Sequence, residues 1–174
     1  MKGRLNTRHT HNRPEHKIRP LLGITMGDPA GIGPEVVAKA LAGPKLRRVC
    51  FPLVIGSLPV MQQTVKKLKL KLDVRSVEGH ETGWLRANQI AVLDPLEKPL
   101  GAFKLGTAAP ETGAASVAFI KKAVHLAQIG CIDGIVTAPI NKEAINSCRA
   151  RSSNGSSRSS AWPGHGGTGS RRRR

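Results

Sequence analysis

A chain of 174 residues is long enough for one domain with a sizeable core, although 39% hydrophobic content is lean for one. The formal net charge of +17 would ordinarily point to nucleic acid or an anionic membrane surface, but the excess lies at the ends. Residues 1 to 20 hold six Lys/Arg against Glu15, residues 147 to 174 hold seven Arg and no acid, and residues 21 to 146 carry 15 basic and 10 acidic side chains.

With no Tyr, three Phe and two Trp, the chain lacks the aromatic platforms on which single-stranded bases stack. That argues against nucleic acid and leaves a sequence-independent grip by the Arg-rich ends as the binding-module alternative. No apolar run approaches the roughly 18 residues of a membrane helix, and the first twenty residues contain no apolar segment for a secretory signal. Their Arg-rich, acid-poor composition matches an organellar transit peptide, but Pro14, Pro20 and the missing amphipathic stripe do not. A disordered basic extension over 1 to 20, or a start codon placed too early, is the expectation. Cys50, Cys131 and Cys148 form no CxxC pair, as expected of reduced, mostly buried thiols in a cytoplasmic protein.

In chain order, the apolar run Leu21 to Met26 reads as a strand, broken by the turn Gly27, Asp28, Pro29, Ala30, Gly31, Ile32, Gly33. Pro34 suits the first turn of a helix and Glu35 complements the positive end of its dipole. Val36, Val37, Ala40 and Leu41 then share a face. Three glycines in seven residues allow positive φ and close approach of another group, which suits an anionic ligand. The run is neither GxGxxG nor GxxxxGK[ST], so a bare strand-to-helix turn is the competing reading.

Gly43 and Pro44 end the helix, and Val49 to Ile55 reads as a second strand. Ser57 can cap the next helix, with Val60, Met61, Thr64, Val65 and Leu68 inside. Lys66, Lys67, Lys69 and Lys71 form its solvated side, or less simply a phosphate-binding face. Leu72 to Val77 alternates as a strand, Gly79 to Gly83 is loop, and Gln89 to Leu93 is an apolar strand closed by Asp94 and Pro95.

The longest helix is predicted from Glu111 to Gln128, with Val117, Ile120, Val124 and Ala127 inward and Gly130 as its stop; its alanines and Gly113 permit close helix packing. His125 on that helix has no second ligand one turn away, and His80, His9, His11 and His16 lie in polar or charged segments, so no metal site is indicated. Ile132 to Ala138 is the last strand. Strands separated by helices predict an α/β fold with a parallel or mixed sheet flanked by helices.

Thr137, Pro139, Asn141 and Lys142 follow that strand, where parallel sheets place ligand contacts. Lys142 could neutralise a phosphate or carboxylate, and Asn141 could fix an oxygen. Alternatively Asn141 caps a short helix and Lys142 is merely solvated. With Asp28 in the glycine loop, Thr137, Asn141 and Lys142 make up the candidate substrate-binding set. No catalytic residue and no cofactor-binding residue can be named.

Three stretches carry a family resemblance: ITMGDPAGIGPE from Ile24, GTAAPETGAASVAFIKKAVHLA from Gly106, and DGIVTAPINKEAIN from Asp133. In order and spacing they resemble the 4-hydroxythreonine-4-phosphate dehydrogenase (PdxA) family and its phosphothreonate and diol dehydrogenase relatives. The likeness covers Leu21 to Asn146 and identifies an N-terminal portion. It implies an isocitrate/isopropylmalate dehydrogenase-like α/β fold, truncated here, and an NAD-dependent homodimer with a divalent metal. It also implies oxidation of a phosphorylated hydroxy amino acid followed by decarboxylation, in pyridoxal phosphate synthesis.

Past Asn146 the sequence turns to SCRARSSNGSSRSSAWPGHGGTGSRRRR, which has no hydrophobic period and cannot build a core. The family's next motif, a glycine-histidine-threonine-glutamate run, would fall near Gly155. Pro163, Gly164 and His165 imitate it too late, with Gly166 in place of the threonine. A frameshift near codon 147, a disordered tail over 147 to 174, and a chain without the family's metal-binding histidines, and hence inactive, are the resulting expectations.

Overall fold

The computed structural model describes residues 19–78, 86 and 88–153, the side chains of 149–153 excepted. The basic head, the loop holding His80 and the residues from 154 onward, His165 among them, lie outside the described residues.

Five strands form one sheet: β1 (Leu21–Thr25), β2 (Phe51–Ile55), β3 (Asp73–Ser76), β4 (Gln89–Leu93) and β5 (Gly134–Thr137). Their order is β3-β4-β2-β1-β5 and every pairing is parallel. The helices are α1 (Gly33–Ala42), α2 (Pro44–Val49), α3 (Leu58–Lys67), α4 (Pro110–Gln128) and α5 (Lys142–Ser153). Helix α1 packs on α3, and α4 on α5. Consecutive residues at the ends of β1, β2 and β4 are buried, which a strand achieves only when both faces of the sheet are covered.

The core joins Ile24 and Met26 to Leu53, Val54, Ile55, Ile90, Val92 and the inner faces of α1, α3 and α4. Where sequence and structure differ, a local cause is visible. Pro44, expected to close α1, instead starts α2, because a proline fits a first helical turn as well as a stop; strand β2 therefore begins at Phe51 rather than Val49. In α4 the buried stripe is Thr112, Gly113, Ala115, Ser116, Phe119, Ala123 and Leu126, whereas Val124 is exposed. The close approach of α5 is felt at Gly113. A Cβ on Gly113 would strike the backbone carbonyl of Ala144.

Ser57 precedes α3 but does not cap it with its hydroxyl, which is buried without a partner. Asp94 does so from the end of β4: its Oδ2 accepts the Leu58 N–H at 2.8 Å while Oδ1 accepts that of Leu96 at 3.1 Å. Beyond Asn146, where composition alone put the start of a tail, α5 continues to Ser153. Cys50 and Cys131 are buried, Cys148 is half-buried, and none of the three is in a disulfide. No helix among the described residues is long and apolar enough to cross a membrane.

Candidate substrate-binding site

Strand β1 has β2 on one side and β5 on the other, and the chain leaves β1 toward β2. This is the switch point at which parallel sheets open a crevice beyond their carboxyl ends. Two loops meet there: residues 26–33 after β1 and residues 138–141 after β5.

Backbone hydrogen bonds join them. Ala138 N–H donates to Thr25 O at 3.1 Å and Asp28 N–H to Pro139 O at 3.0 Å. A third segment, ahead of α4, is tied in by Gly106 N–H on Ala30 O at 2.7 Å. From below, Ser116 Oγ of α4 lies 3.1 Å from Gly27 O and 2.9 Å from Thr112 O, its one proton shared between them.

The glycines of the first loop are accounted for by this arrangement. Gly27 has φ +77°, and a side chain there would collide with Pro139 O; one on Gly33 would collide with Met26 O. Gly27 thus packs against the backbone of the second loop and Gly33 against that of its own loop, while Gly31 lies at ordinary contact distance from Asp28. Helix α1 begins with Gly33 and Pro34 both buried and has no side-chain cap.

Asp28 is buried, and its Oδ1 accepts the Ala30 N–H at 2.9 Å. It shapes the turn from within, as Asx residues do. Asn141 Oδ1 accepts the N–H groups of Glu143 (2.9 Å) and Ala144 (3.2 Å), so it caps α5. That cap occupies Oδ1 only. Thr137 and Lys142 are exposed. The structure thus brings the loops of all four candidates together, with Asp28 and Asn141 as organisers and Thr137 and Lys142 as the groups open to a ligand.

Sequence reasoning missed Ser116 and Gly106. Each tie runs from a side chain or N–H to a backbone carbonyl far away in the chain, and no periodicity encodes that. Thr25 at the end of β1 is likewise buried with its hydroxyl unpartnered. Among the described residues no three His, Cys, Asp or Glu side chains come together in a way that could hold a metal ion.

Comparison with known proteins agrees with this geometry. The family model described as "Pyridoxal phosphate biosynthetic protein PdxA" matches residues 48–156. A 4-hydroxythreonine-4-phosphate dehydrogenase of Desulfosudis oleivorans is 44% identical over 127 residues, 73% of this chain and 37% of that protein. A Symbiobacterium thermophilum protein, named provisionally as a D-threonate 4-phosphate dehydrogenase, is 40% identical over 131 residues, 75% of this chain and 39% of that one. The crystal structure of a 4-hydroxythreonine-4-phosphate dehydrogenase from Burkholderia phymatum superimposes with a TM-score of 0.69 at 38% identity, over 74% of this chain and 38% of that one. The chain therefore spans less than two-fifths of the length of these relatives, and the family match over residues 48–156 together with the structural superposition shows that it belongs to the PdxA family.

Proposed function

We propose that this chain carries part of the substrate-binding apparatus of an NAD-dependent 4-hydroxythreonine-4-phosphate dehydrogenase and turns over no substrate by itself. One observation carries the reading: the carboxyl-end loops are bonded to one another, yet the chain spans only 37–39% of its relatives. The parent enzyme is read as a homodimer of isocitrate dehydrogenase-like subunits acting in the cytoplasm.

Within the described residues the division of labour is specific. The Lys142 ammonium neutralises a phosphate or carboxylate, the Thr137 hydroxyl and the Asn141 amide NH2 supply neutral hydrogen bonds, and Asp28 holds the facing turn. Alcohol oxidation also needs a hydride acceptor and a group that stabilises the developing oxyanion. Among the described residues no group of three His, Cys, Asp or Glu side chains comes together that could hold a metal ion. No chemical step is assigned to this chain.

Purified 174-residue protein given 4-hydroxythreonine 4-phosphate, NAD+ and zinc, magnesium, manganese or cobalt is expected to yield no NADH absorbance. Measurable NADH would overturn the inactivity. Anion binding is tested separately by titrating inorganic phosphate and following amide shifts over residues 137–142. Lys142→Gln should weaken the response about tenfold, as loss of a charge-assisted contact does.

The D-threonate relative makes phosphothreonate dehydrogenation the second reading of the parent's substrate, with a diol dehydrogenase parent a third. We also read the Arg/Ser/Gly-rich composition after Asn146 as a frame shift. Sequencing the gene across codons 135 to 180 tests it: another frame resuming with a GHTE-like run supports the shift, and its absence in every frame removes it.

A further inference from the structure

Charge in the sheet region is sorted along the strands. All five strands run parallel, so their amino ends share one edge of the molecule, opposite the crevice, and the helices between strands return the chain to it. Lys45 and Arg48 of α2, Lys66 and Lys67 in the last turn of α3, and Lys69 and Lys71 on the link into β3 all stand there exposed. The acids of that edge among the described residues are Asp73 and Asp133, and both are engaged. Asp73 Oδ2 accepts from Arg75 and Gln89, and Asp133 Oδ2 accepts the Leu21 N–H at 2.8 Å. At the carboxyl edge the signs alternate instead, Glu97 beside Lys98 and Lys142 beside Glu143.

The basic edge is also held firmly. Arg47 turns inward, its Nη2 donating to Gln89 O at 2.6 Å and its Nε to Leu41 O at 3.4 Å. Arg19 Nη1 donates to Arg47 O at 2.6 Å, and its guanidinium lies 4.2 Å over the Phe51 ring. These two arginines fix α2 to the sheet and leave the outward cations free of that task. Two aliphatic side chains stand at the same edge, Val49 at the end of α2 and Ile129 at the end of α4, 63% and 53% exposed. The head, with Lys2, Arg4, Arg8, Arg13 and Lys17 against Glu15, joins the chain at Arg19 and is therefore tethered there too.

The residue types say what such an edge fits. A lysine ammonium is a point charge without the fixed fork of arginine, so it suits a dense, laterally mobile layer of anions better than one stereospecific contact. A protein partner is held by aromatic and arginine anchors, and bases by aromatic platforms. The aromatic ring described at this edge, Phe51, is covered by Arg19. Exposed aliphatic groups among lysines match a headgroup layer, which accepts both. We infer that the amino edge of the sheet docks peripherally on an anionic lipid bilayer. The lysines meet the headgroups, Val49 and Ile129 enter between them, and the crevice at the opposite edge faces away from the membrane. The inference stands apart from the dehydrogenase reading.

The test is co-sedimentation of the full 174-residue chain with vesicles of phosphatidylcholine alone and of phosphatidylcholine with phosphatidylserine in a ratio of about two to one, at physiological salt. Binding to the mixed vesicles only is expected. The arginines of the tail act on any anionic vesicle, so two variants of equal charge are compared. Lys67→Gln, Lys69→Gln and Lys71→Gln combined should weaken binding at least about tenfold, whereas Lys98→Gln, Lys104→Gln and Lys121→Gln combined, away from the edge, should weaken it no more than about threefold. Val49→Asp should weaken it about fivefold or more. All the replaced side chains are exposed, and unchanged unfolding midpoints by circular dichroism confirm that each variant is folded. No binding, equal binding to both vesicles, equal losses from the two triple variants, or indifference to Val49→Asp would overturn the inference. A larger loss of affinity for a random-sequence DNA duplex than for vesicles in the Lys67, Lys69, Lys71 variant would overturn it as well, and would assign the edge to nucleic acid.

Discussion

Gly27 and Gly106 have nearly the same backbone, φ +77° and +76°, but different surroundings. A Cβ on Gly106 meets open space, while one on Gly27 runs into Pro139. Gly106→Ala should therefore cost only the left-handed backbone penalty, about 1–2 kcal/mol. Gly27→Ala adds a clash with backbone that cannot move aside, and the total should reach about 3 kcal/mol or more. Urea unfolding monitored by circular dichroism gives both values. Equal losses would mean that conformation, not contact between the two loops, makes Gly27 necessary. Asn141 separates capping from ligand contact in the same way. Asn141→Asp keeps the oxygen that accepts from Glu143 and Ala144, whereas Asn141→Ala should lose about 1 kcal/mol of stability. The glycine spacing was legible in the sequence as a tight turn. What it could not reveal was that the close neighbour is Pro139, more than a hundred residues on, because a backbone-to-backbone approach leaves no mark on side-chain identity.

Among the elements, strands and helices were readable from hydrophobic period wherever one face is buried: β4 spans Gln89–Leu93 as the apolar run predicts, and α3 buries Val60, Met61 and Val65. Caps and helix contacts were less readable, because they depend on partners distant in the chain. Helix α3 illustrates this, since Asp94 rather than Ser57 accepts its first N–H. Asp94→Ala should cost about 1–2 kcal/mol by uncapping α3 and freeing Leu96. Ser57→Ala should be neutral or mildly stabilising, as it removes a buried hydroxyl with no partner. A larger loss from Ser57→Ala than from Asp94→Ala, measured by thermal or urea unfolding, would reverse the assignment. The β3 edge adds a pH dependence. Asp73 is held below the ordinary carboxylate range, first by the hydrogen bond from Gln89 and then by that from Arg75. A carboxyl whose folded pKa is depressed stabilises the fold above its unfolded pKa, and the contribution is lost as pH falls through the folded value. Asp73→Asn should accordingly flatten the acid limb of the stability profile slightly, the group being exposed to solvent.

At the scale of the whole molecule, composition and order predicted an α/β sheet flanked by helices, while strand order emerged only once the crossovers were traced. Charge shows the same division between what is local and what is not. The sheet region from 21 to 146 is only mildly basic, and three of its acids are engaged within it: Glu35 with Lys39, Asp73 with Arg75, and Asp94 with the start of α3. Any affinity for duplex nucleic acid should therefore reside mainly in the ends. Arg158 and Arg171 to Arg174 lie beyond α5, so ending the chain at Ser153 removes five arginines and leaves every described element whole. Each phosphate neutralised on duplex DNA contributes about −0.9 to the slope of log K against log salt, so that truncation should make the slope shallower by about 4 to 5. Fluorescence anisotropy with a random-sequence duplex at several salt concentrations measures it. An unchanged slope would move the contact to the sheet region, where Lys66, Lys67, Lys69 and Lys71 at the end of α3 would be the first residues to replace.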